Sequence, residues 1–230
     1  MSQPVCIAFF DMDLTVLGCN TASLWIRRQV RQGHLSAFGA LKMAVSIVLY
    51  QLGFVNMESA IRGALRKLEG ADEVLIHERT RVFFEEEIAE QVRPGALNAL
   101  QTHRGQSHLL VMLTSSSNLL SRLVADRLGF DQVLCNELEV VDGVFTGELA
   151  GPLCYGEGKL ALAQALAEAK QIPLSDCFFY TDSFSDVSVM EAVGHPVAVH
   201  PDPRLQRRAK KRGWPIVDWD AAPAGAAALS

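Results

Sequence analysis

The chain has 230 residues, 49% of them apolar, with 21 basic and 26 acidic side chains and a formal charge of −5. That length suits one large domain or a core with a modest second one, and the mild acidity lacks the broad basic field a nucleic-acid binder uses. Five scattered cysteines without C-x-x-C spacing argue against a disulfide framework or a zinc ribbon, and no basic, apolar leader precedes Asp11, so reduced thiols and a cytoplasmic location are expected.

Residues 5–10 (Val5-Cys6-Ile7-Ala8-Phe9-Phe10) form a continuous apolar run, the pattern of a parallel strand covered on both faces. The run leads into Asp11-Met12-Asp13-Leu14-Thr15. If the strand continued, its alternation of two would point both carboxylates the same way. Such a pair is costly unless a cation sits between them or one carboxyl keeps its proton. From Thr21 the alternation gives way to three- and four-residue spacing, which predicts helices over 22–32, 35–52, 57–68 and 71–91, with Gly33, Gly53 and Gly70 as stops. Within them residues 37–55 are strongly apolar but interrupted by Lys42, Ser46 and Gln51. A membrane span wants ~20 uninterrupted apolar residues, so this stretch is read as a buried helix of a helical domain, not as a span.

After Arg93-Pro94-Gly95 a short helix over 96–103 leads to a second buried strand over 108–114, ending in Thr114-Ser115-Ser116-Ser117. There follow a helix over 118–128, a strand near Val133, a hairpin over 137–149 turning at Asp142-Gly143, and a helix over 158–170 carrying Lys159. The strand 177–180 runs into Thr181-Asp182-Ser183-Phe184-Ser185-Asp186; a short helix, a strand over 197–199, and a last helix and strand complete the pattern. Strands separated by helices imply an α/β fold with a doubly wound parallel sheet, whose ligands bind beyond the carboxyl ends of the strands. Taken singly, these polar residues have plain explanations as helix caps and solvated side chains. Together they place four carboxylates, several hydroxyls and one ammonium on one edge of one sheet.

In that order the four segments resemble the motifs of the haloacid dehalogenase superfamily. Asp11-Met12-Asp13-Leu14-Thr15 is similar to the D-x-D-x-T opening of its phosphatase members, Thr114 to its second-strand hydroxyl, Lys159 to its lone lysine, and Asp182 with Asp186 to its acidic pair. The multi-helix insert resembles the cap of the phosphoserine-phosphatase-like branch. The resemblance implies a Rossmann-like core over 1–16 and 93–230 and an all-helical cap over 17–92. It implies a Mg²⁺-dependent phosphatase in which Asp11 is the nucleophile that becomes an aspartyl-phosphate and Asp13 the general acid and base. Mg²⁺ would be held by Asp11, Asp13 and Asp182, and phosphate by Thr114, the Ser115 amide and Lys159. Asp186, grouped with the metal site, would orient Lys159 or a metal-bound water.

The implied partner is a small phosphate ester, with no nucleic acid and no membrane span, and the protein acting as a monomer or homodimer. Cap residues placed for leaving-group contact are Asn20, Trp25, Arg28, Glu58 and Arg62. Phosphoserine phosphatases resemble this chain in layout, but Asn20 and Ala64 stand where their substrate-holding Glu and Arg would align. Histidinol phosphate and other small phosphomonoesters are therefore carried beside phosphoserine. A phosphotransferase and a non-catalytic phosphometabolite sensor on the same fold are the alternatives from other classes. The six histidines show no metal-ligand spacing.

Overall fold

The computed structural model describes residues 6–33 and 57–220; the expected helix over 35–52 and the apolar stretch 37–55 lie outside the described residues. In chain order the strands are β1 (Ile7–Phe10), β2 (Leu109–Ser117), β3 (Gln132–Asn136), β4 (Leu138–Val141), β5 (Val144–Leu149), β6 (Phe178–Thr181), β7 (His195–Val199) and β8 (Ile216–Val217). The helices are α1 (Thr21–Arg31), α2 (Met57–Leu65), α3 (Glu73–Phe83), α4 (Pro94–Gly105), α5 (Asn118–Leu128), α6 (Glu157–Lys170), α7 (Val187–Ala192) and α8 (Pro203–Arg212).

Six strands form one sheet in the order β3-β2-β1-β6-β7-β8, and every neighbouring pair is parallel. β1 lies inside it, and its alternating residues feed two cores. Ile7 and Phe9 pack with Ala163 and Ala167 of α6, Val189 of α7, and Leu205 and Ala209 of α8. Ala8 and Phe10 pack with Ala96 and Leu100 of α4. Helices thus cover both faces, which is why the β1 sequence is apolar throughout. Phe9 and Phe10 are fully buried, and each such side chain stabilises the fold by about 1.5–3 kcal/mol.

The chain leaves the sheet after β1 and returns towards it before α4 along paired segments. Leu17 pairs antiparallel with Val92; the Gly18 amide donates to the Gln91 carbonyl at 2.7 Å and the Arg93 amide to the Val16 carbonyl at 2.9 Å. β4 and β5 form a separate two-stranded antiparallel sheet. Its turn has positive φ at Asp142 (51°) and Gly143 (77°), the pair of left-handed residues that a two-residue hairpin needs. The hairpin packs Leu138 and Phe145 against Leu65 of α2 and Leu119 of α5.

One strand end falls as expected and another needs correction. β1 stops at Phe10, and Met12–Val16 winds into a helical turn broken at Asp13 (ψ 133°) and Leu14 (φ 59°). Asp11 and Asp13 therefore do not share a strand face. β2 runs on through Ser117, shifting register between Leu113 and Ser117 so that Ser117 pairs with Asn136. The side-chain amide of Asn136 donates to the Ser115 carbonyl at 2.7 Å and so satisfies backbone that a purely apolar strand would leave to a neighbour.

Candidate active site

β1, β2 and β6 end at the same edge of the sheet, and the polar residues that follow them are brought together there. The Asp11 amide donates to the Tyr180 carbonyl at 2.9 Å, extending the β1–β6 ladder by one step, and the residue is 7% exposed. Lys159 enters from the first turn of α6. Its approach depends on Gly158, where an added Cβ would stand 1.9 Å from the Leu153 carbonyl oxygen. Lys159 Nζ donates to Asp11 Oδ1 at 2.7 Å and to Asp186 Oδ2 at 2.8 Å, with all three residues buried. Asp186 Oδ2 also accepts the Thr181 hydroxyl at 2.7 Å, while its Oδ1 is buried with no partner among the described residues.

Thr15 links Asp11 to Asp182. Its Oγ1 accepts the Asp182 amide at 3.0 Å and lies 3.4 Å from Asp11 Oδ2 and 3.3 Å from Asp182 Oδ1. One hydroxyl carries one proton, so it satisfies only one of these carboxylates at a time. Asp13 makes its hydrogen bonds outside this cluster, accepting the Thr21 amide at 2.8 Å and the Thr21 hydroxyl at 3.2 Å at the start of α1. Thr114 is buried within β2, three residues before its end, and its Oγ1 accepts the Ser116 amide at 3.1 Å.

The charges do not balance. Burial pushes the Asp11 carboxyl up to about 7, with the charges of Asp186 and Asp13 adding to the effect and Lys159 opposing it. Burial likewise pushes Asp182 up to about 8, reinforced by Asp11 and Asp186. Asp13 is raised by burial against the opposing hydrogen bonds from Thr21. Lys159 is held above its ordinary range: burial works against its charge, and the Asp11 and Asp186 carboxylates outweigh it. One ammonium faces Asp11, Asp186 and Asp182, an all-oxygen donor set with excess negative charge and an orphaned buried oxygen. These residues fit a hard divalent cation such as Mg²⁺.

The residues expected to touch the leaving group are engaged elsewhere. Asn20 Oδ1 caps α1, accepting the Ser23 amide at 2.9 Å and the Ser23 hydroxyl at 2.8 Å. Arg62 is exposed and pairs with Glu58 at 3.0 Å, one helical turn away. Arg28 pairs with Glu86 and Glu87, and Trp25 packs edge-on against Phe83 at 5.1 Å. Thr21 and Thr181, which hold two of the acids, were not among the expected site residues. The signal for Thr21 is its place one residue past the Asn20 cap, where first-turn amides lack helical partners. A second acidic group, His200 with Asp218 and Asp220, gathers at the end of β8. There His200 Nε2 accepts the Trp219 amide at 2.9 Å and Asp220 pairs with Arg93, so its ligand atoms are already committed.

Comparison with known proteins agrees with this geometry. Residues 8–191 match the family model of the haloacid dehalogenase-like hydrolases. The chain is 31% identical over 216 residues to phosphoserine phosphatase SerB1 of Mycobacterium tuberculosis, covering 92% of this chain and 70% of that one. It is 27% identical over 218 residues to a histidinol-phosphatase of Neisseria meningitidis, covering 93% and 98% respectively. Among solved structures, a protein of unknown function from Bordetella pertussis Tohama I superposes with a TM-score of 0.84 at 25% identity, over 94% of this chain and 99% of that one. No helix among the described residues is long and apolar enough to cross a membrane.

Proposed function

Because this chain belongs to the haloacid dehalogenase-like hydrolases, we propose that it is a Mg²⁺-dependent phosphatase that hydrolyses a small phosphorylated metabolite through an aspartyl-phosphate on Asp11. The observation that carries this reading is the buried Lys159 ammonium held between Asp11 and Asp186, beside a further carboxylate, Asp182, that it does not neutralise. A structural ion pair needs one acid; this edge collects several and leaves them short of positive charge.

In this reading Asp11 attacks phosphorus while the bond from phosphorus to the leaving oxygen breaks. Asp13 gives its proton to that oxygen, and then takes one from the water that splits the acyl phosphate. Burial favours the protonated Asp13 that the first step needs. Thr114, the Ser115 amide and Lys159 hold the phosphoryl oxygens, and Lys159 offsets charge as the transition state forms. Asp11, the backbone carbonyl of Asp13 and Asp182 would hold Mg²⁺, while Asp186 orients Lys159. Bound Mg²⁺ supplies Lewis-acid polarisation of the phosphoryl group and offsets the gathered negative charge. The insert 17–92 acts as the cap that excludes bulk water and selects the alcohol, its closely spaced entry and exit serving as the hinge.

Phosphoserine and histidinol phosphate lead the candidate substrates, since relatives bear those names. The test is phosphate release from a panel of phosphomonoesters, with Mg²⁺ or a chelator, by the natural protein and by Asp11→Asn. Release that needs Mg²⁺ and vanishes in Asp11→Asn is expected; full activity in Asp11→Asn, or in chelator, would overturn the mechanism. Label passing from phosphoester to an added alcohol, without phosphate release, would make the protein a phosphotransferase.

A further inference from the structure

The acidic loop after β6 is braced from outside the site by one residue that the mechanism does not use. Asp202, the N-cap of α8, accepts the Arg204 and Leu205 amides on Oδ1 at 2.7 and 2.9 Å. Its Oδ2 accepts the Phe184 amide at 2.7 Å, and its own amide donates to the Asp182 carbonyl at 2.8 Å. The carboxylate therefore starts a helix and fastens the loop Thr181–Asp186 at Phe184, while the backbone amide of the same residue fastens it at Asp182. The Arg204 guanidinium lies over the Phe184 ring, 4.3 Å from its centroid, adding a second tie between α8 and the loop.

A helix cap alone needs one acceptor oxygen. The second oxygen goes instead to a loop whose flanking side chains, Asp182 and Asp186, must present their carboxylates against mutual repulsion. We propose that Asp202 is a positioning residue for the candidate metal site, fixing the direction of Asp182 through the backbone of the loop. This rests on the reading of Asp182 as a ligand. Residues that orient metal ligands commonly change metal affinity by 10–100-fold when removed.

Two substitutions separate capping from bracing. Asp202→Asn keeps a carbonyl oxygen for the α8 amides but sets a donor against the Phe184 amide; Asp202→Ser keeps a short cap that cannot serve both sides. Mg²⁺ affinity is measured by calorimetric titration, loop order by amide hydrogen exchange at Phe184, and helix integrity by the melting temperature in chelator. Both variants are expected to bind Mg²⁺ on the order of tenfold more weakly, with faster exchange at Phe184 and substrate KM unchanged at saturating Mg²⁺. Asp182→Asn serves as the reference. If the natural protein binds Mg²⁺, Asp182→Asn abolishes binding and the Asp202 variants bind normally, the positioning role is overturned while the metal reading stands. If the natural protein shows no binding that depends on Asp182, both fall.

Discussion

The carboxylate of Asp13 accepts both the amide and the hydroxyl of Thr21, at 2.8 and 3.2 Å. Thr21 is the first residue of α1, the helix that leads into the insert, so the group proposed to protonate the leaving alcohol is tethered to the entrance of the proposed cap. Both hydrogen bonds favour the charged carboxylate and oppose the rise caused by burial. Thr21→Val keeps the shape and the amide but removes the hydroxyl. Asp13 should then hold its proton to higher pH, moving the alkaline limb of kcat/KM up by about one pH unit. A pH–rate profile that superimposes on the natural one would refute the tether.

Lys159 makes a different demand on its neighbours. It is the ammonium shared by two buried carboxylates, and removing one partner of a buried pair leaves uncompensated charge. Lys159→Met should lower stability at pH 8 by about 3–5 kcal/mol and abolish turnover. Part of that loss should return at lower pH as Asp11 takes up a proton. Chemical denaturation of both proteins at pH 8 and pH 5 tests this; an equal deficit at both would count against the charge argument.

Asp182 should behave in the opposite sense when metal is withheld. The folded state raises Asp11 from 3.8 to about 7 and Asp182 from 3.8 to about 8. A raised folded value means that stability is fully present below the unfolded value and is lost as pH rises through the folded one. Metal-free protein should thus weaken between pH 4 and 8, and Mg²⁺ should restore it. Asp182→Asn removes one repelling charge, so in chelator at pH 8 it should be more stable than the natural chain by at least about 1 kcal/mol, yet gain nothing from Mg²⁺. Melting curves with and without Mg²⁺ decide it, and a variant less stable in chelator would contradict the electrostatic account.

Much of this edge was legible because the backbone obeys local rules. The apolar run before Asp11, the strand ending at Thr181 and the helix that starts at Glu157 and carries Lys159 each follow from periodicity, and their ends bring Asp11, Lys159 and Asp186 together. Asp13 is named by the sequence, but its local geometry is not, because the chain breaks from regular structure at Asp13 (ψ 133°) and at Leu14 (φ 59°), the latter a left-handed conformation that a leucine does not advertise. The continuation of β2 past Thr114 depends on Asn136, whose side chain arrives from another strand. Asn20, at an aligned substrate-binding position, and Arg62, near another in the cap, are expected at the leaving group, but a cap residue before a helix and an arginine one turn from Glu58 have nearer partners, and those contacts prevail.

The side of β6 that faces α4 carries a pH dependence unrelated to the metal. His103 and His108 place their Nδ1 atoms 2.7 Å apart, and His103 Nε2 lies 2.8 Å from the Tyr180 hydroxyl. Two ring nitrogens at that distance share a single proton, so the pair cannot carry two charges. Burial, with the neighbouring His108, lowers His103 from 6.5 to about 4. A depressed histidine contributes stability that is present above the unfolded value and lost as pH falls through the folded one. The window is therefore pH 6.5 down to about 4, and the loss at its lower end is about 3 kcal/mol. His103→Gln retains a donor and an acceptor for Tyr180 but cannot titrate. It should be less stable than the natural chain at pH 7.5, where a packed aromatic contact with Phe10 and Phe178 is lost, yet show a flatter decline towards pH 4.5. Urea unfolding across that range measures both slopes; parallel curves would show that acid lability originates elsewhere in the protein.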